Sequence, residues 1–167
     1  MTFFIRTAGA ADLKAVSELL GRCWHATYDS LYGEADVAAI TAEWHSPSAL
    51  AVNLARPAGE FLVADDGRRI AGMAFAAAGK PDGSSVFLHQ LYVDPDDQRL
   101  GIGTDLYSEM ENSFFEASRF RLEVETANAG AMAFWKRLGF SSVGETAHIL
   151  PGSGRSVTVA LLEKRIA

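Results

Sequence analysis

Apolar positions recur along this chain at two spacings, and the switches between them mark out its elements. Leu13, Val16, Leu19, Leu20 and Cys23 lie three and four residues apart, the stripe of a helix buried on one face. A short strand and turn precede it in FFIRTAG (3–9), with Gly9 at the N-cap position and Asp12 near the positive helix end. ADVAAITAEW (35–44) predicts a second helix, stopped by Ser46-Pro47. The pattern then turns strand-like. EFLVADDGRRIAGMAFAA predicts a hairpin, with strands over 61–64 and 70–76 around Asp66-Gly67. GKPDGSS (79–85) predicts a turn, and the apolar VFLHQLYV (86–93) a further strand.

DPDDQRLGIGTDLY (94–107) follows, with two glycines one residue apart at 101 and 103. Leu106, Met110 and Phe114 recur at a spacing of four, so a helix runs on from there to about Ala117. RFRLEVET (119–126) predicts a strand, and NAGAMAFWKRL (128–138) a short helix with Gly139 placed to cap its C-terminus. FSSVGETAHIL (140–150) and RSVTVALLEKR (155–165) predict two last strands around a turn at 151–154. The order β-α-α-β-β-β-α-β-α-β-β, without repeat or linker, describes one mixed α/β domain over 1–167.

Composition adds boundaries to this picture. Hydrophobic residues make up 49% and charged ones 22%, a globular balance. The formal charge of −6 disfavours nucleic acid and anionic membrane as partners and mildly favours cationic substrates. Cys23 is the only cysteine, which excludes an intrachain disulfide and a thiolate metal cluster. Arg6 follows the first three apolar residues, too early for a signal-peptide core, and no stretch approaches a membrane span. A reducing, cytoplasmic setting is the expectation. His25, His45, His89 and His148 show no ligand spacing, so no metal is expected.

A strand, a Gly-x-Gly turn and a helix leave backbone N–H groups bare for an anion. A dinucleotide fingerprint would need a glycine at 106, where Leu106 stands. A P-loop would need Gly-Lys-Ser/Thr at 106–108, where the chain has Leu-Tyr-Ser. What remains is Gln98-x-x-Gly101-x-Gly103. With the lead-in LYVDP (91–95) and the later LEVETANAGAMAFWKRLGF (122–140), in which an asparagine opens a short helix ending in Gly-Phe, the chain resembles the GNAT superfamily of acyl-coenzyme A-dependent N-acyltransferases.

That resemblance implies a mixed, mostly antiparallel sheet of six to seven strands flanked by about four helices, with acetyl-coenzyme A between the fourth and fifth strands. The pyrophosphate would lie on the loop of Gln98, Arg99, Leu100, Gly101, Ile102, Gly103 and Thr104, where glycines admit close approach and Arg99 adds charge. The strand edge at Leu91, Tyr92 and Val93 would pair with the pantetheine arm, and an N–H near Val93 would face the carbonyl oxygen. Asn128 matches an asparagine that commonly contacts the coenzyme.

The implied reaction passes an acetyl group directly to an amine, which must first lose a proton. Glu123 stands where ribosomal-protein alanine acetyltransferases carry their proposed base, and is the first candidate. Glu125 shares its face of the strand by alternation, and His89, with the more convenient pKa, ranks second after Glu123. Trp135 departs from the pattern, because many relatives place there a tyrosine that protonates the leaving thiolate. An indole is no practical acid. The expectation is that Phe134, on a stripe with Gly130, Ala131 and Leu138, faces the core, and that Trp135 turns to the cleft as a wall of the coenzyme site. Trp24, Tyr28 and Tyr32 match relatives whose early helices wall the acceptor site, and also read as core aromatics. The expected partner is a small-molecule or peptide amine, and monomer and homodimer both stay open. The alternative is a sensor of the same fold that binds acyl-coenzyme A without turnover.

Overall fold

The computed structural model of the chain describes residues 2–79 and 84–166. Seven strands, β1 (Phe4–Thr7), β2 (Gly59–Asp65), β3 (Ile70–Ala78), β4 (Ser85–Val93), β5 (Arg119–Glu125), β6 (Ser141–Ile149) and β7 (Ser156–Arg165), form one sheet in the order β1-β2-β3-β4-β5-β7-β6. Every pairing is antiparallel except β4 with β5. The helices are α1 (Leu13–Tyr32), α2 (Glu34–Trp44), α3 (Pro47–Leu54), α4 (Ile102–Ser113) and α5 (Ala129–Arg137). The expected turn at 79–85 falls largely on residues 80–83, outside the described ones.

The stripe that predicted α1 is buried: Val16, Leu19 and Leu20 pack with Leu50 of α3 against Phe61, Val63, Met73 and Phe75. Each such side chain contributes about 1.5–3 kcal/mol by leaving water. The opposite face of the sheet buries Ile102, Leu106, Tyr107 and Met110 of α4 on Ala74, Ala76, Leu88 and Phe120. A third cluster joins Trp24 and Tyr28 of α1 and Val37 and Ile40 of α2 to Val157 and Val159 of β7.

Two boundaries differ from those the sequence predicts. The helix count is five rather than about four, because Ser46-Pro47 both follows α2 and starts α3. Ser46 Oγ accepts the N–H of Ala49 at 3.2 Å, and Pro47 stands at a position where its missing N–H costs nothing. The helix after the glycine turn ends at Ser113, short of the expected Ala117, because Phe114 leaves helical geometry at φ −115°, ψ 61°.

What opens the sheet is local to β4. Phe75 faces Gln90 while Ala76 faces Leu88, so His89 is an extra residue in a bulge. A bulge bends its strand. Parallel pairing with β5 accordingly stops after Ser85, Val86 and Phe87 meet Arg119, Phe120 and Arg121. Beyond that point β4 and β5 part.

His45, where α2 ends, lies among Trp24, Trp44 and Tyr92 and is only 4% exposed. Burial lowers its pKa to about 4, so the folded ring is neutral. Unfolded, it titrates near 6.5 and binds the extra proton between those values. Its stabilising share is therefore full above pH 6.5, declines as the pH falls, and is lost below pH 4, about 3 kcal/mol in all. Denaturant unfolding from pH 7.5 to 4 is expected to show this decline, and His45→Phe to flatten it. Parallel curves for the two proteins would contradict the assignment.

Candidate active site

The parted strands enclose a cavity of about 950 Å³ that continues from the glycine turn to the far ends of α1 and β6. Its β4 wall offers unpaired backbone. Asp94 N–H donates to Ala71 O at 2.7 Å, and in an antiparallel ladder bonded and non-bonded pairs alternate. Tyr92 therefore points its N–H and C=O toward β3, whereas Leu91 and Val93 point theirs into the gap. Val93 O is taken there, by Gln98 Nε2 at 3.0 Å and by the Cys23 thiol at 3.3 Å. The Val93 N–H remains free, among the described residues, to face a reacting oxygen.

At one end of the cavity the turn before α4 forms a concave run of N–H groups. Arg99 (φ 67°) and Gly101 (φ 81°) both sit in the left-handed region, the alternation that turns successive amides inward. The N–H groups of Ile102, Gly103 and Thr104 have no acceptor in the helix, and no hydrogen bond among the described residues takes them up. A Cβ at 101 would meet nothing within 4 Å, so the space over this turn is open. The loop is held from behind. Asp94 accepts Arg22 Nη2 at 2.8 Å, and Asp97 accepts Arg69 through two bonds of 2.6 and 2.7 Å. This cradle fits a pyrophosphate: bare amides, a helix N-terminus of positive potential and the Arg99 side chain.

Of the expected coenzyme residues, Leu91, Tyr92, Val93, Gln98, Arg99, Gly101, Ile102, Gly103, Thr104, Asn128 and Trp135 all border the cavity. Leu100 does not, and the residue is 60% exposed. Gln98 serves as a strap onto β4 rather than as an open donor. Asn128 caps α5, accepting the Ala131 N–H at 3.1 Å, and its amide donates to the Tyr28 hydroxyl at 3.4 Å.

The expected orientation of Phe134 and Trp135 is reversed. Trp135 is 5% exposed and packs edge-on against Tyr107 (5.8 Å) and Phe140 (5.2 Å), so only its margin reaches the cavity. Phe134 faces the glycine turn, where a Cβ at 103 would come within 3.2 Å of its ring. A side chain at 103 would make the Phe134 ring shift by a few tenths of an ångström, and Gly130, Ala131 and Leu138 border the cavity, the last two also packing against the core. Trp135→Tyr is therefore expected to lower stability by about 1–2 kcal/mol through the space it leaves, with no change in the shape of the pH–rate profile. A rate gain confined to low pH, at unchanged melting temperature, would contradict this. Tyr107, on the core side of α4, is as buried as its neighbours and offers no replacement acid.

Three groups are candidates for the base. Glu123 lies on the exposed face of β5 and is hydrogen-bonded to Nε2 of His148 on β6, a residue to which the sequence assigns no role beyond its lack of metal-ligand spacing. His89 is set behind it: Arg56 Nη1 donates to His89 Nε2 at 3.1 Å, and a guanidinium can only donate. Its basic nitrogen is occupied, and partial burial and the Arg56 charge lower its pKa. Glu125 shares the Glu123 face, as alternation predicts. Burial raises its pKa, against an opposing hydrogen bond from the Tyr28 hydroxyl. No signal in the spacing points to His148, 25 residues beyond Glu123 and two strands away.

Comparison with known proteins agrees with this geometry. The chain superposes on the PaiA N-acetyltransferase from Thermoplasma acidophilum in complex with coenzyme A (TM-score 0.84, 23% identity, 99% of this chain and 100% of that one). It also matches the ribosomal-protein-S18-alanine N-acetyltransferase from Escherichia coli (0.75, 20%, 99% and 95%). A third match is a phosphinothricin acetyltransferase from Sinorhizobium meliloti in complex with AcCoA (0.73, 23%, 100% and 90%). At these identities the likeness concerns the fold. No curated protein matches the chain. The sequence profile of the Acetyltransferase (GNAT) family matches residues 13–140, three quarters of the chain, with the glycine turn and the parted strands inside it, and the chain belongs to that family.

Proposed function

We propose that this protein transfers the acetyl group of acetyl-coenzyme A to a primary amine, on a small molecule or a peptide, by direct attack in the cytoplasm. The observation that carries the reading is the parting of β4 from β5, which directs the Val93 N–H into a cavity ending on the bare amides of α4. The amide cradle binds the anionic end of the donor, and the open edge of β4 can add its thioester arm as a further strand.

The amine nitrogen bonds to the thioester carbon, its proton passes to a base, and the carbon–sulfur bond breaks to release the thiolate. Developing charge on the carbonyl oxygen faces the Val93 N–H. Glu123 takes the proton, and His148, hydrogen-bonded to it, carries that proton on to solvent. The thiolate, conjugate to a thiol of pKa about 8.5, departs without a tyrosine acid.

Incubation with acetyl-coenzyme A and a panel of amines, followed by thiol release and by mass spectrometry of the amine, tests the reading. Stoichiometric thiol and N-acetyl amine are expected. Tight coenzyme binding with no amine-dependent thiol would favour the sensor, a reading to which the missing tyrosine at Trp135 lends its one argument.

A further inference from the structure

Adjoining the main cavity lies a recess of about 260 Å³, set between α1, α2, α3 and β4. Four rings, Trp24, Trp44, His45 and Tyr92, line it together with Asn53, His89 and Gln90. Trp24 and Trp44 meet edge to face at 5.9 Å, His45 lies 5.6 Å from Trp24, and Tyr92 lies 6.2 Å from His45. Trp24 Nε1 donates to the Tyr92 hydroxyl at 3.2 Å, which uses the indole N–H. His45 is held by shape: its Nδ1 is buried without a partner among the described residues. Trp44, by contrast, is 41% exposed although it closes an otherwise buried aromatic cluster. Its indole thus forms the solvent-facing wall of the recess, open to a ligand entering from that side.

Charge decides what covers it. Among the described residues no carboxylate lines the recess, and the Arg56 guanidinium is hydrogen-bonded to His89, one of its lining residues. A cation placed there would exchange its water for ring faces alone, with no carboxylate to neutralise it and the Arg56 charge nearby. The carboxylates are next door, where Glu123 and Glu125 line the adjoining cavity. The two spaces communicate, because Trp24, Trp44, His89, Gln90 and Tyr92 border both. The distance is short: the Tyr28 ring is 4.5 Å from Trp24, and the Tyr28 hydroxyl reaches Asn128 at the cavity wall. Size points the same way. A cavity of about 150 Å³ accepts benzene, and drug-sized ligands need roughly 300 Å³ or more, so this recess suits one ring.

We propose that the recess between Trp24, Trp44, His45 and Tyr92 binds the uncharged aromatic end of the acceptor, while its amine lies toward Glu123 and Glu125. The substrate class is then an arylalkylamine, or a peptide whose first side chain is aromatic. This rests on the acetyltransfer reading for the identity of the ligand as acceptor, but the binding preference can be measured without turnover.

The test is calorimetric titration of 2-phenylethylamine, butylamine and 1,5-diaminopentane into the protein, free and saturated with coenzyme A. Phenylethylamine is expected to bind at least tenfold more tightly than either of the others, and Trp44→Ala to cut that preference below threefold. Tightest binding of the diamine, absence of any preference, no binding of phenylethylamine at millimolar concentration, or a preference that survives Trp44→Ala would each overturn the proposal. Thiol release measured with the same amines separates the two readings. The preference in binding without thiol release would sink acetyltransfer and leave the recess; thiol release without the preference would do the reverse.

Discussion

Gly101→Glu is expected to weaken coenzyme A binding at least a hundredfold. The new carboxylate would stand in the open space over the turn, facing the free N–H groups of Ile102, Gly103 and Thr104. It would satisfy those donors itself and repel the pyrophosphate at close range. A second effect comes from the backbone. At φ 81° any side chain strains the chain by about 1–2 kcal/mol, so the melting temperature should fall by several degrees without loss of the fold. Gly101→Ala separates the two contributions, since it brings the strain without the charge. Calorimetry should place its affinity between wild type and Gly101→Glu. Unchanged affinity in a folded Gly101→Glu would remove the anion site from this turn.

Glu123→Gln is expected to lower kcat on the order of a hundredfold while leaving coenzyme affinity unchanged. The amide keeps the shape of the carboxylate and can still meet His148, but it cannot accept the proton of the amine. Because loss of a group that acts in the transition state lowers kcat and kcat/KM together, the KM of the amine should move little. His148→Gln should slow turnover less, since Glu123 would still reach solvent directly. Turnover of Glu123→Gln within a factor of two of wild type across pH 6–9 would move the base to Glu125, the remaining carboxylate of the same face.

Much of this arrangement is legible in the amino-acid sequence. Alternation in RFRLEVET places Glu123 and Glu125 together, with Leu122 and Val124 buried behind them, because a strand has only two faces. The Gly101-x-Gly103 turn and the Asn128 cap are legible because single residues with special backbone demands punctuate the elements there. The third helix is not. Ser-Pro signals an ending and a beginning equally well, and PSALAVNL carries no stripe to tell them apart. The faces of Phe134 and Trp135 escape the sequence for a different reason. Neighbours on a helix point about 100° apart, so a small rotation of α5 exchanges them. That rotation is set by the close contact of Phe134 with Gly103, which depends on how α4 and α5 meet. Pairing of His148 with Glu123, and the meeting of Trp24, His45 and Tyr92, depend on strand order and helix docking, which no local pattern encodes.

That the coenzyme lies in the gap between β4 and β5 can be read at individual amides by hydrogen exchange. Addition of coenzyme A is expected to slow exchange at Leu91, Val93, Ile102, Gly103 and Thr104, whose N–H groups the described residues leave without partners, and to leave Tyr92 unchanged because β3 already protects it. Protection confined to other parts of the chain, or no protection under conditions where calorimetry shows binding, would contradict the site.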